Sequence, residues 1–172
     1  MATIGVAVSV PDPWGTQLQE YRVALGDPAA AGIPTHITLL PPLDVEDHLL
    51  PGIQQHLTRV AGRVGTFTVQ LRGTGTFRPV SPVVFVNVVQ GISRCEQLAA
   101  AVRRGPLAVE AQYPYHPHVT VAHRLEDRLL DRAFEELAGF DCRFEVSGVT
   151  LYVHHDGDGW SPHEHLPLHS TR

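Results

Sequence analysis

The sequence predicts a fold of mixed strands and helices, made from two similar halves packed face to face. Three observations predict it. The chain has 172 residues, 43% of them apolar and 18% charged, which is a globular composition of about one domain's length. Residues 4–40 and 83–122 each read as strand, helix, strand, and each closing strand carries His-x-Thr. The distance from the start of the unit to that histidine is 32 residues in the first case (Ile4 to His36) and 35 in the second (Val83 to His118). Neither unit is long enough to bury a core alone, so residues 1–172 are read as a single domain with intertwined halves.

Ile4 to Val10 is a Val-rich strand closed by Pro11. Asp12 as N-cap and Pro13 at the first position open a helix whose Trp14, Leu18, Tyr21 and Leu25 share one face, and Gly26 ends it. Thr35 to Leu40 is a strand stopped by Pro41-Pro42, and Asp44 to Val60 is a helix interrupted or restarted at Pro51. Thr66 to Phe77 alternates as a strand, with Gly73 and Gly75 loosening its end. The second half restarts with a strand at Val83–Val89, a helix at Ser93–Arg104 and a strand at His118–Ala122. Glu126 to Ala138 is an amphipathic helix. Arg143–Val153 and Trp160–Leu168 form a closing hairpin around the turn at 156–159.

The charges exclude several chemistries. All 13 basic residues are Arg, so lysine-dependent phosphate loops, Schiff bases and lysyl-nucleotide ligases are ruled out. A net charge of −5 suits a small nucleotide or a short RNA end, not a long nucleic acid duplex. Apolar runs such as Val83–Val86 are too short for a membrane span, and residues 1–10 lack the pattern of a signal peptide, so a cytoplasmic monomer is expected. Cys95 and Cys142, far apart in sequence, read as buried thiols.

A single His-x-Thr is a weak signal, because 11 His and 12 Thr in 172 residues give about 0.8 by chance. Apolar residues both at x and after Thr lower this to roughly 0.14, so two such motifs have odds on the order of one in a hundred. Residues i and i+2 of a strand project from one face. His36 and Thr38 therefore face one way while Ile37 packs behind, and His118 and Thr120 do the same over Val119. If the halves meet about a pseudo-twofold axis, two imidazoles and two hydroxyls converge on one cleft. That set suits a phosphate: the hydroxyls donate to its oxygens, and the imidazoles flank the attacking and leaving oxygens without a metal or other cofactor.

His36-Ile-Thr-Leu and His118-Val-Thr-Val resemble the paired motifs of the two-histidine (2H) phosphoesterase superfamily. Within it, the chain is most similar to the 2′-5′ RNA ligase-like, RNA 2′,3′-cyclic phosphodiesterases. Pro34, Pro117, Pro41-Pro42 and the stretch Thr76–Val86 extend the likeness over nearly the whole chain. The resemblance implies a bilobal α+β fold, with an antiparallel sheet and flanking helices in each pseudo-symmetric lobe and a metal-free cleft between them. It also implies hydrolysis of a 2′,3′-cyclic phosphate, with ATP-independent 2′-5′ joining in some members. Several relatives carry Arg or Lys a few residues after the second motif's Thr, where this chain has His123 and then Arg124.

Other residues have two readings each. Arg78 is a phosphate clamp or a solvated loop residue. Phe77 stacks on a base or belongs to the core. Tyr115 lies over the cleft as part of a lid or beside it. Strand parity puts His116 on the cleft face and His123 on the opposite one, and neither is assigned to catalysis. His154, His155, His163 and His165 lack a completing carboxylate or Cys, so they read as surface histidines and not as a metal site. The rival functions are 2′-5′ ligation at the same site, a nucleotide- or RNA-end-binding module, and a metal-binding protein.

Overall fold

A computed structural model describes residues 1–28, 30, 32–111, 113–155 and 159–170. Eight strands and four helices succeed one another as β1 (Ala2–Ser9), α1 (Trp14–Leu25), β2 (His36–Val45), α2 (Leu50–Arg63), β3 (Phe67–Thr76), β4 (Val83–Gln90), α3 (Ile92–Val102), β5 (His118–His123), α4 (Asp127–Glu136), β6 (Asp141–Val146), β7 (Gly148–His155) and β8 (Gly159–Pro167). They form two four-stranded antiparallel sheets, ordered β2-β1-β7-β8 and β5-β4-β3-β6. The fold is bilobal α+β. In each sheet a His-x-Thr strand forms one edge, and the strand that opens its repeat lies beside it.

The lobes interlock through those edges. β2 lies against β5, α1 packs on β5, and α3 packs on β2, so each repeat's helix covers the motif strand of the other. Alternation fixes what lies behind the motifs: Ile37, Leu39, Val119 and Val121 are fully buried in one continuous apolar core. No helix among the described residues is long and apolar enough to cross a membrane.

Several elements depart from the sequence reading. β2 runs through Pro41-Pro42 to Val45, with register shifts against β1. An edge strand tolerates proline because one side of it needs no ladder donor. The helix expected from Asp44 begins later, as a 3-10 turn at Asp47–Leu49 followed by α2 with Pro51 in its first turn. Pro13 is the N-cap of α1, one position later than expected, and the Asp12 carboxylate still accepts the Thr16 amide at 3.0 Å. Gly26 closes that helix at φ 89°, a left-handed cap that favours glycine. The stretch 143–153 is two strands: β6 pairs with β3 and β7 pairs with β1, so the chain changes sheets near Ser147. β7 and β8 do pair, and the turn expected between them at 156–158 lies outside the described residues.

Gly75 is dictated by packing. A Cβ there would lie 2.6 Å from the Phe85 ring. Gly62, inside α2, has nothing within 4 Å of such an atom. Gly75→Ala is expected to lower stability by about 1–3 kcal/mol through overpacking, and Gly62→Ala to raise it by about 0.5–1 kcal/mol. Urea unfolding midpoints moving in opposite directions would bear this out; a neutral Gly75→Ala would contradict it.

Candidate active site

His36 and Thr38 lie on β2 opposite Ser9 and Ala7 of β1. His118 and Thr120 lie on β5 opposite Asn87 and Phe85 of β4. Each motif strand then takes in one extra residue just after its threonine. Thr38 pairs with Ala7 but Leu40 with Val6, and Thr120 pairs with Phe85 but Ala122 with Val84. Leu39 and Val121 are thus matched bulges, a device that bends an edge and re-aims its side chains.

The first bulge is held from the other lobe. The Tyr115 hydroxyl donates to the Thr38 carbonyl at 2.7 Å, and Arg103 Nε donates to the Leu39 carbonyl at 2.9 Å. Successive carbonyls of a regular strand point to opposite edges, so holding both from one side depends on the bulge. The Arg103 guanidinium also lies 5.3 Å from the centre of the Tyr115 ring. Tyr115 is therefore a half-buried brace between the lobes.

The two imidazoles are anchored in the same way. Nδ1 of His36 donates to the Pro34 carbonyl at 2.7 Å, and Nδ1 of His118 to the His116 carbonyl at 2.6 Å. A carbonyl oxygen only accepts, so Nδ1 carries the proton and Nε2 is left as the basic atom of each neutral ring. Burial holds both rings below the usual histidine pKa, against the opposing pull of those carbonyls. The Arg22 guanidinium lowers His36 further, and positive charge on His116 and on His36 lowers His118. The two motif histidines thus oppose each other's protonation.

The remaining candidates fall into place around this pair. The Phe77 ring stands perpendicular to His118 at 4.9 Å and against Phe85 at 4.5 Å, so it walls the imidazole. Arg78 donates to Asp131 at 2.9 Å with Asp127 at 3.8 Å, so its charge is matched on α4. His116 is exposed, with its ring 6.0 Å from His118. His123 pairs with Val83, which shares a face with Phe85, so the bulge at Val121 returns His123 to the face of His118 and Thr120. Simple parity puts it on the other side.

Among the described residues, no three His, Cys, Asp or Glu side chains converge as metal ligands. The His154 ring meets the Trp160 indole at 5.2 Å. Cys95 and Cys142 are free and buried, with thiols pushed up to about 12 and about 11 by desolvation, so neither is poised as a nucleophile.

A hollow of about 150 Å³ opens beside His36 and Thr38, walled by Tyr152 and Trp160 over Gly5 and Ala7. The sequence reading missed these four residues. The available signal was the parity of β1, where the small residues Gly5, Ala7 and Ser9 alternate with Ile4, Val6 and Val8. A larger hollow of about 410 Å³ lies against Asp12, Thr16 and Glu20, whose acidic lining suits no phosphate.

Two antiparallel lobes that bring one His-x-Thr edge strand each to a shared seam define a class of phosphate-handling folds. The chain belongs to the 2′-5′ RNA ligase superfamily, whose family model matches residues 10–158. A provisionally named phosphoesterase of Bacillus cereus strain G9842 is 32% identical over 139 residues, covering 74% of this chain and 80% of that protein. The fold is similar to Escherichia coli LigT in its apo form, with a TM-score of 0.69 and 22% identity over 98% of both chains. It is equally similar to TT0787 of Thermus thermophilus, with a TM-score of 0.69 and 24% identity over the whole of both chains.

The histidine environments fix the sign of a pH effect on stability. Both folded-state pKa values lie below the unfolded value of about 6.5, so the unfolded chain takes up these protons first. Their effect is absent above about pH 6.5 and destabilises the fold as pH falls towards the folded values. The urea midpoint should drop between about pH 7.5 and about pH 5.5. In the His36→Gln/His118→Gln double variant that drop should be smaller; an equal drop would contradict the burial argument.

Proposed function

We propose that the chain is a metal-independent phosphodiesterase that hydrolyses the 2′,3′-cyclic phosphate of a nucleotide or RNA end. The observation that carries this reading is the matched pair of Nδ1–carbonyl hydrogen bonds, which leaves Nε2 of His36 and of His118 free for proton transfer. One neutral ring takes a proton from water as its oxygen bonds to phosphorus. The other ring, protonated, gives its Nε2 proton to the ribose oxygen as the P–O bond breaks. Thr38 and Thr120 donate hydroxyl hydrogens to the non-bridging oxygens, where negative charge builds up. One proton enters the pair and one leaves it, so a single turnover leaves the pair's total protonation unchanged.

Two further facts support the small-nucleotide part of the reading. LigT has been crystallised with 3′-AMP, with ATP, with NADP+ and with phosphate. The net charge of −5 opposes binding to a long polyanion. Joining of 2′-5′ ends, the activity that names the superfamily, is a second use of the same pair, with an RNA 5′-hydroxyl replacing water as the attacking oxygen. Monophosphate as the product from a nucleoside 2′,3′-cyclic phosphate separates hydrolysis from joining, and tight binding without turnover would mark a binding module instead.

His36→Ala and His118→Ala are each expected to lose about 10²–10⁴ in rate on nucleoside 2′,3′-cyclic phosphates, with EDTA leaving the wild-type rate unchanged. The active form of the free protein carries one proton on two rings whose pKa values both lie below the usual one. The kcat/KM profile should therefore be a bell with its maximum below about pH 6.5, falling as pH rises because the remaining imidazolium is lost. Full activity in either variant, or a maximum on the alkaline side of neutrality, would overturn the assignment.

A further inference from the structure

The two lobes each place a motif strand at a sheet edge, but they differ beside the motif threonine. Ala7 stands opposite Thr38 in the first lobe, and Phe85 stands opposite Thr120 in the second. Phe85 is 4% exposed and fills its lobe's face beneath Phe77 and His118. Gly75 clears the space that this ring occupies. In the first lobe the same place is left open by Ala7 and Gly5.

What borders the opening is aromatic. Tyr152 of β7 pairs with Gly5, and its hydroxyl lies 3.0 Å from Oγ of Ser9, the residue opposite His36. The Trp160 indole leans over β1, with its ring carbons 3.6 and 3.7 Å from where a Gly5 Cβ would stand. His154 braces that indole at 5.2 Å, edge to face. The hollow measures about 150 Å³, of the order of one planar heterocycle, and His36 and Thr38 form its other wall. A ring-sized, aromatic-walled space touching one phosphate-binding pair fits a nucleobase attached through a ribose to that phosphate.

We propose that this hollow is the nucleobase site, that Trp160 and Tyr152 form its stacking surface, and that Ala7 and Gly5 keep it open. The proposal rests on the cyclic-phosphodiesterase reading and adds to it where the nucleoside lies: in the first lobe, not across the seam. Stacking tolerates every base, so the site selects nucleosides over base-free cyclic phosphates more strongly than one base over another.

The test compares kcat/KM for adenosine and uridine 2′,3′-cyclic phosphates with that for methyl riboside 2′,3′-cyclic phosphate, which has no base. The wild-type protein should favour the nucleosides. Trp160→Ala should cut that preference by about 5- to 150-fold, chiefly through KM. Ala7→Phe, which copies the second lobe's residue into the first, should abolish it. In a Trp14→Phe background Trp160 is the only tryptophan. Its fluorescence should change saturably on titration with adenosine 3′-monophosphate, and Ala7→Phe should remove the change.

A preference that survives both substitutions overturns the base site, whatever the fluorescence does. A wild-type protein that turns over none of the three substrates overturns the phosphodiesterase reading instead. In that case the fluorescence titration alone decides the base site, and a flat signal overturns it.

Discussion

Two short hydrogen bonds set what this cleft can do. Nδ1–H of His36 donates to the Pro34 carbonyl, and Nδ1–H of His118 donates to the His116 carbonyl, at 2.7 and 2.6 Å. Each bond spans only two residues, so the ring folds back on the backbone just ahead of its strand. Pro34 itself and Pro117, which follows His116, stiffen those approaches. Nδ1 is thereby committed and Nε2 is free. Burial then lowers the pKa of each ring, and a proton on one ring opposes a proton on the other.

This arrangement needs both lobes at once. An edge strand offers unpaired backbone groups, and each motif strand here is an edge of its sheet. Two carbonyls of β2, those of Thr38 and Leu39, accept from Tyr115 and Arg103 of the second half, and the helix of each repeat covers the other repeat's motif strand. The bulges at Leu39 and Val121 belong to the same device, because they aim consecutive groups of one strand in directions that a regular ladder does not allow. The internal repeat has also diverged where it matters. Phe85 fills one face while Ala7 leaves the other open, so a near-symmetric frame presents an asymmetric cleft.

Much of this was legible in the sequence. Period-two alternation around Ile37 and Val119 identified the buried faces, and so fixed which way His36, Thr38, His118 and Thr120 project. What escaped was set by tertiary context. Pro41-Pro42 reads as a stop, and only the edge position of β2 makes those prolines acceptable in a strand. The stretch 143–153 alternates without a break, so nothing local marks the crossing from one sheet to the other near Ser147. A bulge inverts parity without a sequence mark, which is why His123 lies on the face from which counting excludes it. Arg78 looked available until Asp127 and Asp131, about fifty residues further on, came to lie beside it. The hollow by His36 was readable in the small residues of β1, but its walls come from β7 and β8, far along the chain.

The central claim is that His36 and His118 act on one phosphorus. The most direct measurement is a titration of the histidine-15N-labelled protein with inorganic phosphate, following the Nε2 signals of both rings by NMR, with His36→Gln and His118→Gln used to assign them. The account predicts that both signals move together, with one dissociation constant and one phosphate per chain. Movement of one ring alone, or of the two with different constants, would place the imidazoles in separate sites and contradict it.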